Sequence, residues 1–393
     1  MKNKLKKILP NKYLVLISRF FNGNYMYILW LLPIKKDKVV ICNYYGKGYG
    51  DSAKYIVNEI TKNNSNLEIV WLLKSKENKS NFPSNVRVVK YGSMKGLYEL
   101  ATSRVWIDNC RKYFYPPKRK EQFYIQTWHS PLRLKKIEKD AGSDLPYGYI
   151  EKAKADAAMC NLMISGCDFS KKIYENSFWY SGDILECGTP RCDLFFDNKT
   201  NKEAILNKIN LKGNNSKILL YAPTFRKNGN LNSYLKEYNR LKKTMCEKFG
   251  GDWIILVRMH PNVSSVSLNL KFDSKNVIDV TDYDDMQELL YISDVLITDY
   301  SSCMFDMAIA KKICFLYGPD LEEYLKGDRE LYFDVHELPF MFSDSYEKLI
   351  QNIHDFNLFS YYEKLEEFNN KVNFYESGES SSILANKVVE YTL

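Results

Sequence analysis

Asp294-Val-Leu-Ile-Thr-Asp-Tyr-Ser-Ser-Cys-Met-Phe-Asp306 is the stretch whose reading decides the fold. Val295 to Ile297 form a short β-branched and apolar run, the pattern of a strand buried on both faces. Asp299, Ser301 and Ser302 then offer capping side chains, and Cys303–Ala310 is apolar enough for the inner face of a helix. A strand that turns sharply into a helix leaves backbone N–H groups and a positive dipole end pointing outward, which is a phosphate-binding geometry. The same residues also suit an ordinary capped βα turn, so the choice rests on the rest of the chain.

At 393 residues the chain is long enough for two domains with developed cores. A composition of 45% hydrophobic and 26% charged residues is that of a globular protein. Nine cysteines are scattered without a CxxC pair, several of them inside predicted strands or helices. That pattern favours reduced core thiols over disulfides or a zinc site, and with them a cytosolic compartment.

Charge is unevenly placed. Residues 1–38 hold nine basic residues against one acid, Asp37, which accounts for the whole net charge of +8. The rest of the chain is formally neutral, which disfavours nucleic acid as a partner. Between those charges lie Tyr13–Ile17, Phe20–Phe21 and Tyr25–Leu32, none of them near the roughly 18 apolar residues of a spanning helix. No secretory cleavage pattern is present. Cationic and aromatic-rich, residues 1–38 suit a peripheral anchor on anionic lipid, at the cytoplasmic face of the membrane. A first helix packed on the body, with solvated lysines, is the alternative.

From Val39 onward, predicted strands alternate with helices. Those at Val39–Tyr44, Glu68–Leu73, Val86–Val89, Arg104–Ile107, Tyr124–Thr127, Leu162–Ser165 and Ile184–Glu186 make a doubly wound first domain over residues 39–197. Gly46-Lys47-Gly48-Tyr49-Gly50 follows the first strand but lacks the GxGxxG spacing, so a dinucleotide site is not expected. A second set, at Lys217–Tyr221, Trp253–Arg258, Val277–Val280, Asp294–Thr298 and Ile313–Tyr317, belongs to residues 198–393. Ser345–Asn370 and Ser381–Tyr391 read as helices closing that half. The fold expected is α/β and GT-B-like, with two Rossmann-like domains facing a cleft.

Three further strand-end motifs carry chemistry. In Gln126-Thr127-Trp128-His129-Ser130-Pro131-Leu132-Arg133-Leu134-Lys135-Lys136, a histidine lies just past a buried strand and three cations follow it. An imidazole suits the deprotonation of a hydroxyl, and Arg133, Lys135 and Lys136 suit a phosphorylated acceptor. A loop histidine bonded to a carbonyl is the plainer reading. Tyr221-Ala222-Pro223-Thr224-Phe225-Arg226 and Arg258-Met259-His260-Pro261-Asn262 each end a strand next to a proline, which stops the strand and turns the side chains outward. Arg226 and Arg258 suit a diphosphate, because a planar guanidinium binds phosphate oxygens bidentately.

These motifs, together with Gly188-Thr189-Pro190-Arg191 and Asp193, resemble the CDP-glycerol glycerophosphotransferase family, the teichoic acid primases and polymerases of Gram-positive bacteria. The resemblance runs over about residues 40–375. It implies a GT-B fold, membrane association and transfer of a polyol phosphate from a CDP-activated donor. It also implies that His129 is the base and that His260 contacts the donor phosphates. One departure stands out: the family has glycine after the first histidine where this chain has Ser130-Pro131. Pro131 restricts Ser130 to extended conformations, so this loop cannot follow a glycine-type path.

The expected mechanism places the donor diphosphate on Thr224, Arg226, Arg258, Asp299, Ser301, Ser302 and Asp306, with His260. An acceptor hydroxyl deprotonated by His129 attacks the β-phosphorus and expels CMP. No metal ligand set is read from the sequence, since Asp282, Asp284 and Asp285 fit a turn and helix cap; Mg²⁺ is expected to stimulate at most. Glycerol phosphate is the expected group for a lipid-linked or polymeric acceptor, in teichoic acid or capsule synthesis. Ribitol phosphate, a sugar-transferring GT-B enzyme and a non-catalytic binder are the alternatives.

Overall fold

In the first half of the chain, apolar runs are buried on both faces of a parallel sheet, as helix-covered parallel strands require. Its strands are β1 (Lys35–Cys42), β2 (Glu68–Leu73), β3 (Val86–Lys90), β4 (Ser103–Asp108), β5 (Phe123–Gln126), β6 (Leu162–Ser165) and β7 (Asp183–Glu186). They pair in the order β3-β2-β1-β4-β5-β6-β7. Helices α1 (Asp51–Asn63), α2 (Met94–Thr102), α3 (Tyr149–Met159) and α4 (Asp168–Ser177) connect them. The computed structural model describes residues 25–63, 66–74, 82–112, 117–145, 148–198, 200–226, 233–259, 276–327 and 330–392.

The second sheet contains β8 (Lys217–Ala222), β9 (Trp253–Val257), β10 (Val277–Asp279), β11 (Val295–Thr298), β12 (Ile313–Tyr317) and β13 (Met341–Ser343). Its order is β10-β9-β8-β11-β12-β13, again parallel. β11, the strand of the opening stretch, is central: Leu296 pairs with Leu220 on one side and Cys314 on the other. Around it lie α5 (Lys202–Lys208), α6 (Tyr238–Phe249), α7 (Met286–Ile292), α8 (Cys303–Ile309), α9 (Leu321–Gly327), α10 (Tyr346–Asp355), α11 (Leu358–Val372) and α12 (Ser380–Thr392). In both sheets the winding reverses beside the first strand, between β1 and β4 and between β8 and β11. Such switch points open a crevice at the carboxyl ends of the strands. This is the GT-B arrangement.

Sequence patterning runs Ser345–Asn370 together as helix, but Asn357 breaks it. Its side chain accepts from Ser360 N at 3.0 Å and starts α11 afresh. The last helix returns to the first half: Leu384, Ala385 and Val388 of α12 share a core with Val39, Ile56 and Leu162. All nine cysteines are free, and eight are buried.

Polar contacts hold the halves together around the crevice. Lys54 of α1 lies 2.6 Å from both Asp285 and Glu288. Main-chain bonds join Lys136 N to Glu330 O and Tyr332 N to Leu134 O, each 2.8 Å. At the centre, Arg191 meets Asp306 of α8 through two nitrogens, at 2.9 and 2.7 Å, and Asp51 of α1 at 2.9 Å.

Candidate active site

Between the two sheets lies a cleft of about 990 Å³, walled by the loops after β1, β2 and β5 on one side and after β8, β9, β10 and β11 on the other. His129 stands in its first wall. The chain leaves β5 through Thr127, whose N–H still bonds Asp108 O at 2.9 Å, and then turns at Trp128, which takes φ +51°. Trp128 N donates to Gln126 Oε1 at 3.0 Å, and its ring meets Phe178 edge-on at 4.9 Å. With Trp128 anchored in the core, the next side chain faces the cleft. Ser130 Oγ donates to Leu132 O, and Pro131 O accepts from Ser170 Oγ at 2.9 Å, which ties the Ser-Pro loop to the start of α4.

His129 Nδ1 lies 2.8 Å from Asn109 O. A carbonyl only accepts, so Nδ1 carries the proton and the lone pair belongs to Nε2. Burial, and then the Arg133 cation, lower the imidazole pKa to about 4, so the ring is neutral at physiological pH. The carbonyl-bonded histidine of the plainer reading is therefore also a ring held in the tautomer of a base.

Arg133 is 6% exposed, with its guanidinium 4.7 Å from the Trp128 ring, 5.3 Å from Phe178 and 5.4 Å from Tyr174. Its Nη2 reaches Tyr174 OH at 3.3 Å, and among the described residues its Nε has no hydrogen-bond partner. Opposite, Arg258 leaves β9 with its N–H on Tyr221 O at 2.9 Å. Its Nη1 is also buried without a partner among the described residues, and burial lowers its pKa despite Asp285 nearby. Ser301 and Ser302 line the same wall. Ser302 is the N-cap residue of α8, yet its hydroxyl makes no capping bond. Two guanidiniums, one from each half, thus present unsatisfied donors beside a neutral imidazole. The arrangement is built for an anionic substrate and a proton acceptor.

A family model for CDP-glycerol:poly(glycerophosphate) glycerophosphotransferases matches residues 24–390. The chain belongs to that family. It is 31% identical to a teichoic acid poly(glycerol phosphate) polymerase of Bacillus spizizenii over 99% of this chain and 100% of the relative. A teichoic acid ribitol-phosphate primase of the same organism is 28% identical over 96% of the chain and 97% of its own length. The chain spans about half of the poly(glycerol phosphate) polymerases of Staphylococcus epidermidis and Bacillus subtilis. The wall teichoic acid polymerase TagF, in a histidine variant soaked with CDPG, superposes with a TM-score of 0.82 at 28% identity, over 97% of this chain and 98% of that one. As a member, the chain is a phosphotransferase whose donor is CDP-glycerol.

The residues expected to serve this glycerophosphotransferase divide into two groups. His129, Arg133, Lys135, Thr224, Arg258, Ser301 and Ser302 all line the cleft. Arg226, Asp299, Asp306 and Lys136 do not. Arg226 is 2% exposed and paired with Asp299 at 2.8 Å and Asp320 at 2.5 Å. Asp299 also receives Thr224 N at 2.9 Å, so the pair holds the Thr224 loop in place. Asp306 is bound to Arg191, and Lys136 to Glu330 at 2.6 Å. His260 lies outside the described residues.

Lys47, Lys74 and Asp51, which the sequence does not mark as site residues, also line the cleft. Lys47 sits in the glycine-rich segment set aside for its spacing, while nothing local distinguishes Lys74 from a surface lysine. Among the described residues, no group of three or more His, Cys, Asp or Glu is placed to hold a metal ion. None of the described helices is long and apolar enough to cross a membrane.

Proposed function

We propose that the chain transfers glycerol phosphate from CDP-glycerol to a hydroxyl of a teichoic acid acceptor, with His129 as general base. The donor diphosphate lies against Arg258, Ser301 and Ser302, and Thr224 is held beside them by Asp299 and Arg226. The acceptor oxygen attacks the β-phosphorus as its proton passes to His129 Nε2. The phosphoanhydride bond breaks, and CMP leaves with the electron pair. α8 has only seven residues. Arg258 and the serine hydroxyls therefore carry more of the charge stabilisation than its dipole.

The observation that carries this reading is the 2.8 Å bond from His129 Nδ1 to Asn109 O, which leaves the Nε2 lone pair available in a cleft lined by guanidiniums. Glycerol is preferred to ribitol because the family description and the relative matched over its whole length both name glycerol phosphate. Incubation with CDP-glycerol and an acceptor, with nucleotide products resolved by chromatography, tests the reaction class. CMP marks phosphate transfer, whereas CDP would mark transfer of the polyol alone and refute it.

Peripheral membrane attachment is the second part of the proposal. Residues 1–24 of the basic segment lie outside the described residues. Next to them, Met26 and Leu29 are buried, whereas Tyr27, Ile28 and Leu31 are 55%, 62% and 87% exposed. An anchored turn offering apolar side chains outward beside a cationic segment suits the interface of an anionic bilayer and a lipid-linked acceptor.

A further inference from the structure

The chain leaves β1 through a backbone that bulky residues rarely adopt. Tyr44 has φ +41° and Tyr45 φ +59°, and Asp51, at the start of α1, has φ +54°. Positive φ is strained for large side chains and persists only where the surroundings impose it. Here hydrogen bonds do so. Tyr44 N donates to Asn109 Oδ1 at 2.8 Å, and Gly46 N and Lys47 N both donate to Asn43 O, at 2.8 and 2.9 Å. Tyr44 OH donates to Asp51 Oδ2 at 2.6 Å. The same oxygen accepts from Arg191 Nη1 at 2.9 Å, and Arg191 is held in turn by Asp306 of α8. The Tyr44 side chain is thus fixed at both ends, to the first sheet through its backbone and to the meeting point of the halves through its hydroxyl.

That ring stands in the cleft wall beside His129. The two ring centres are 5.3 Å apart, and their planes are inclined by 58°. Such a spacing is that of a favourable aromatic contact. The bond from His129 Nδ1 to Asn109 O holds one edge of the imidazole and selects its tautomer, but it does not fix the plane. The χ2 rotation of a histidine is broad, so Nε2 would otherwise sweep an arc about that bond. Tyr44, packed against the imidazole from a rigid support, limits the arc. Space filling alone would need neither the positive φ nor a bond to a carboxylate shared with Arg191.

We propose that Tyr44 is a positioning residue that holds the plane of His129, so that Nε2 stays aimed at the acceptor hydroxyl. Tyr44 takes no part in proton transfer, since its own hydroxyl is committed to Asp51. This rests on the reading of His129 as general base and adds the group that orients it.

The test uses the full chain with CDP-glycerol and a teichoic acid acceptor, and follows CMP release. Tyr44→Leu and Tyr44→Phe are each made alone and together with His129→Ala. Tyr44→Leu should lower kcat about tenfold or more, since a small misplacement of a reacting group costs up to about a hundredfold. Tyr44→Phe keeps the ring but frees it from Asp51, so its loss should be smaller, about threefold. In both, the Kd for CDP-glycerol, read by calorimetry, should stay within about threefold. On top of His129→Ala, neither change should lower the remaining rate more than about twofold, because no imidazole is left to orient. Tyr44→Phe keeps the test open if Tyr44→Leu does not fold. Unchanged turnover in the variants that fold would overturn the inference and leave His129 as the base. So would an equal loss with and without His129, which would mark a structural role, or a loss of CDP-glycerol affinity with kcat unchanged, which would place Tyr44 on the donor. Turnover of His129→Ala close to that of the unmodified enzyme would overturn the base and this inference with it.

Discussion

His129 Nδ1 donates to Asn109 O across 2.8 Å, and that carbonyl belongs to a residue fixed on both sides. Asn109 Oδ1 accepts from Tyr44 N at 2.8 Å, and its Nδ2 reaches Asn43 Oδ1 at 2.5 Å. The ring is therefore held in one tautomer by the ends of two neighbouring strands.

Replacing that ring removes the proton acceptor but leaves the cations. His129→Ala should lower kcat by about a hundredfold or more, the usual scale for general base catalysis. The Kd for CDP-glycerol should change by less than about threefold. Turnover close to that of the unmodified enzyme would remove His129 from the mechanism.

The pH dependence follows from the same residue. With its pKa lowered to about 4 by burial and by Arg133, His129 is already neutral well below pH 6.5. The kcat/KM profile, which reports the free enzyme, should stay flat on the acid side until near pH 4. Bound phosphates favour the imidazolium, so the limb of kcat should lie higher. The stability contribution has the matching sign. Below pH 6.5 the unfolded chain takes up a proton that the folded ring refuses, so stability is full above 6.5 and declines towards pH 4. A kcat/KM limb at pH 6.5 would mean an ordinary solvated histidine.

Arg258 should show opposite effects on stability and binding. Its buried Nη1, unpartnered among the described residues, is a cost to the folded protein that a diphosphate would relieve. Arg258→Met is expected to keep or raise Tm while weakening CDP-glycerol binding about tenfold or more, the range of a charge-assisted contact. Calorimetry and thermal unfolding read the two effects separately. Unchanged affinity would place the diphosphate elsewhere.

Arg191 should behave differently. Removing it leaves Asp51 and Asp306 buried and unpaired where the halves meet. Breaking a buried pair in this way typically costs about 3–5 kcal/mol, so Arg191→Ala should lower the urea midpoint sharply, and adding Asp306→Asn should restore part of the loss. A midpoint unchanged in the single variant would show that the contact contributes little to stability.

Tyr27, Ile28 and Leu31, the side chains proposed to meet the bilayer, are exposed and support no core. Changing all three to serine should leave Tm within about 2 °C, as exposed substitutions do. Co-flotation with anionic liposomes should fall and become more sensitive to salt. Unaltered flotation would assign attachment to other surfaces.

The fold was largely legible in the chain. β2, β6 and β12 coincide with their apolar runs because strands buried on both faces leave a continuous local signal. β13 was not legible, because Met341–Ser343 is three residues long and only partly buried. The positions of the site motifs at strand ends were legible for the same reason. Their roles were decided only by the tertiary structure, as Arg226 and Arg258 show. Each follows a strand of the second sheet beside a proline, and the sequence offers no basis for separating them. Folding brings Asp299 and Asp320 onto Arg226 from loops far along the chain, while Arg258 Nη1 finds no partner among the described residues. Burial is written in local periodicity, whereas the neutralisation of a charge depends on residues that only the completed fold brings within hydrogen-bonding distance.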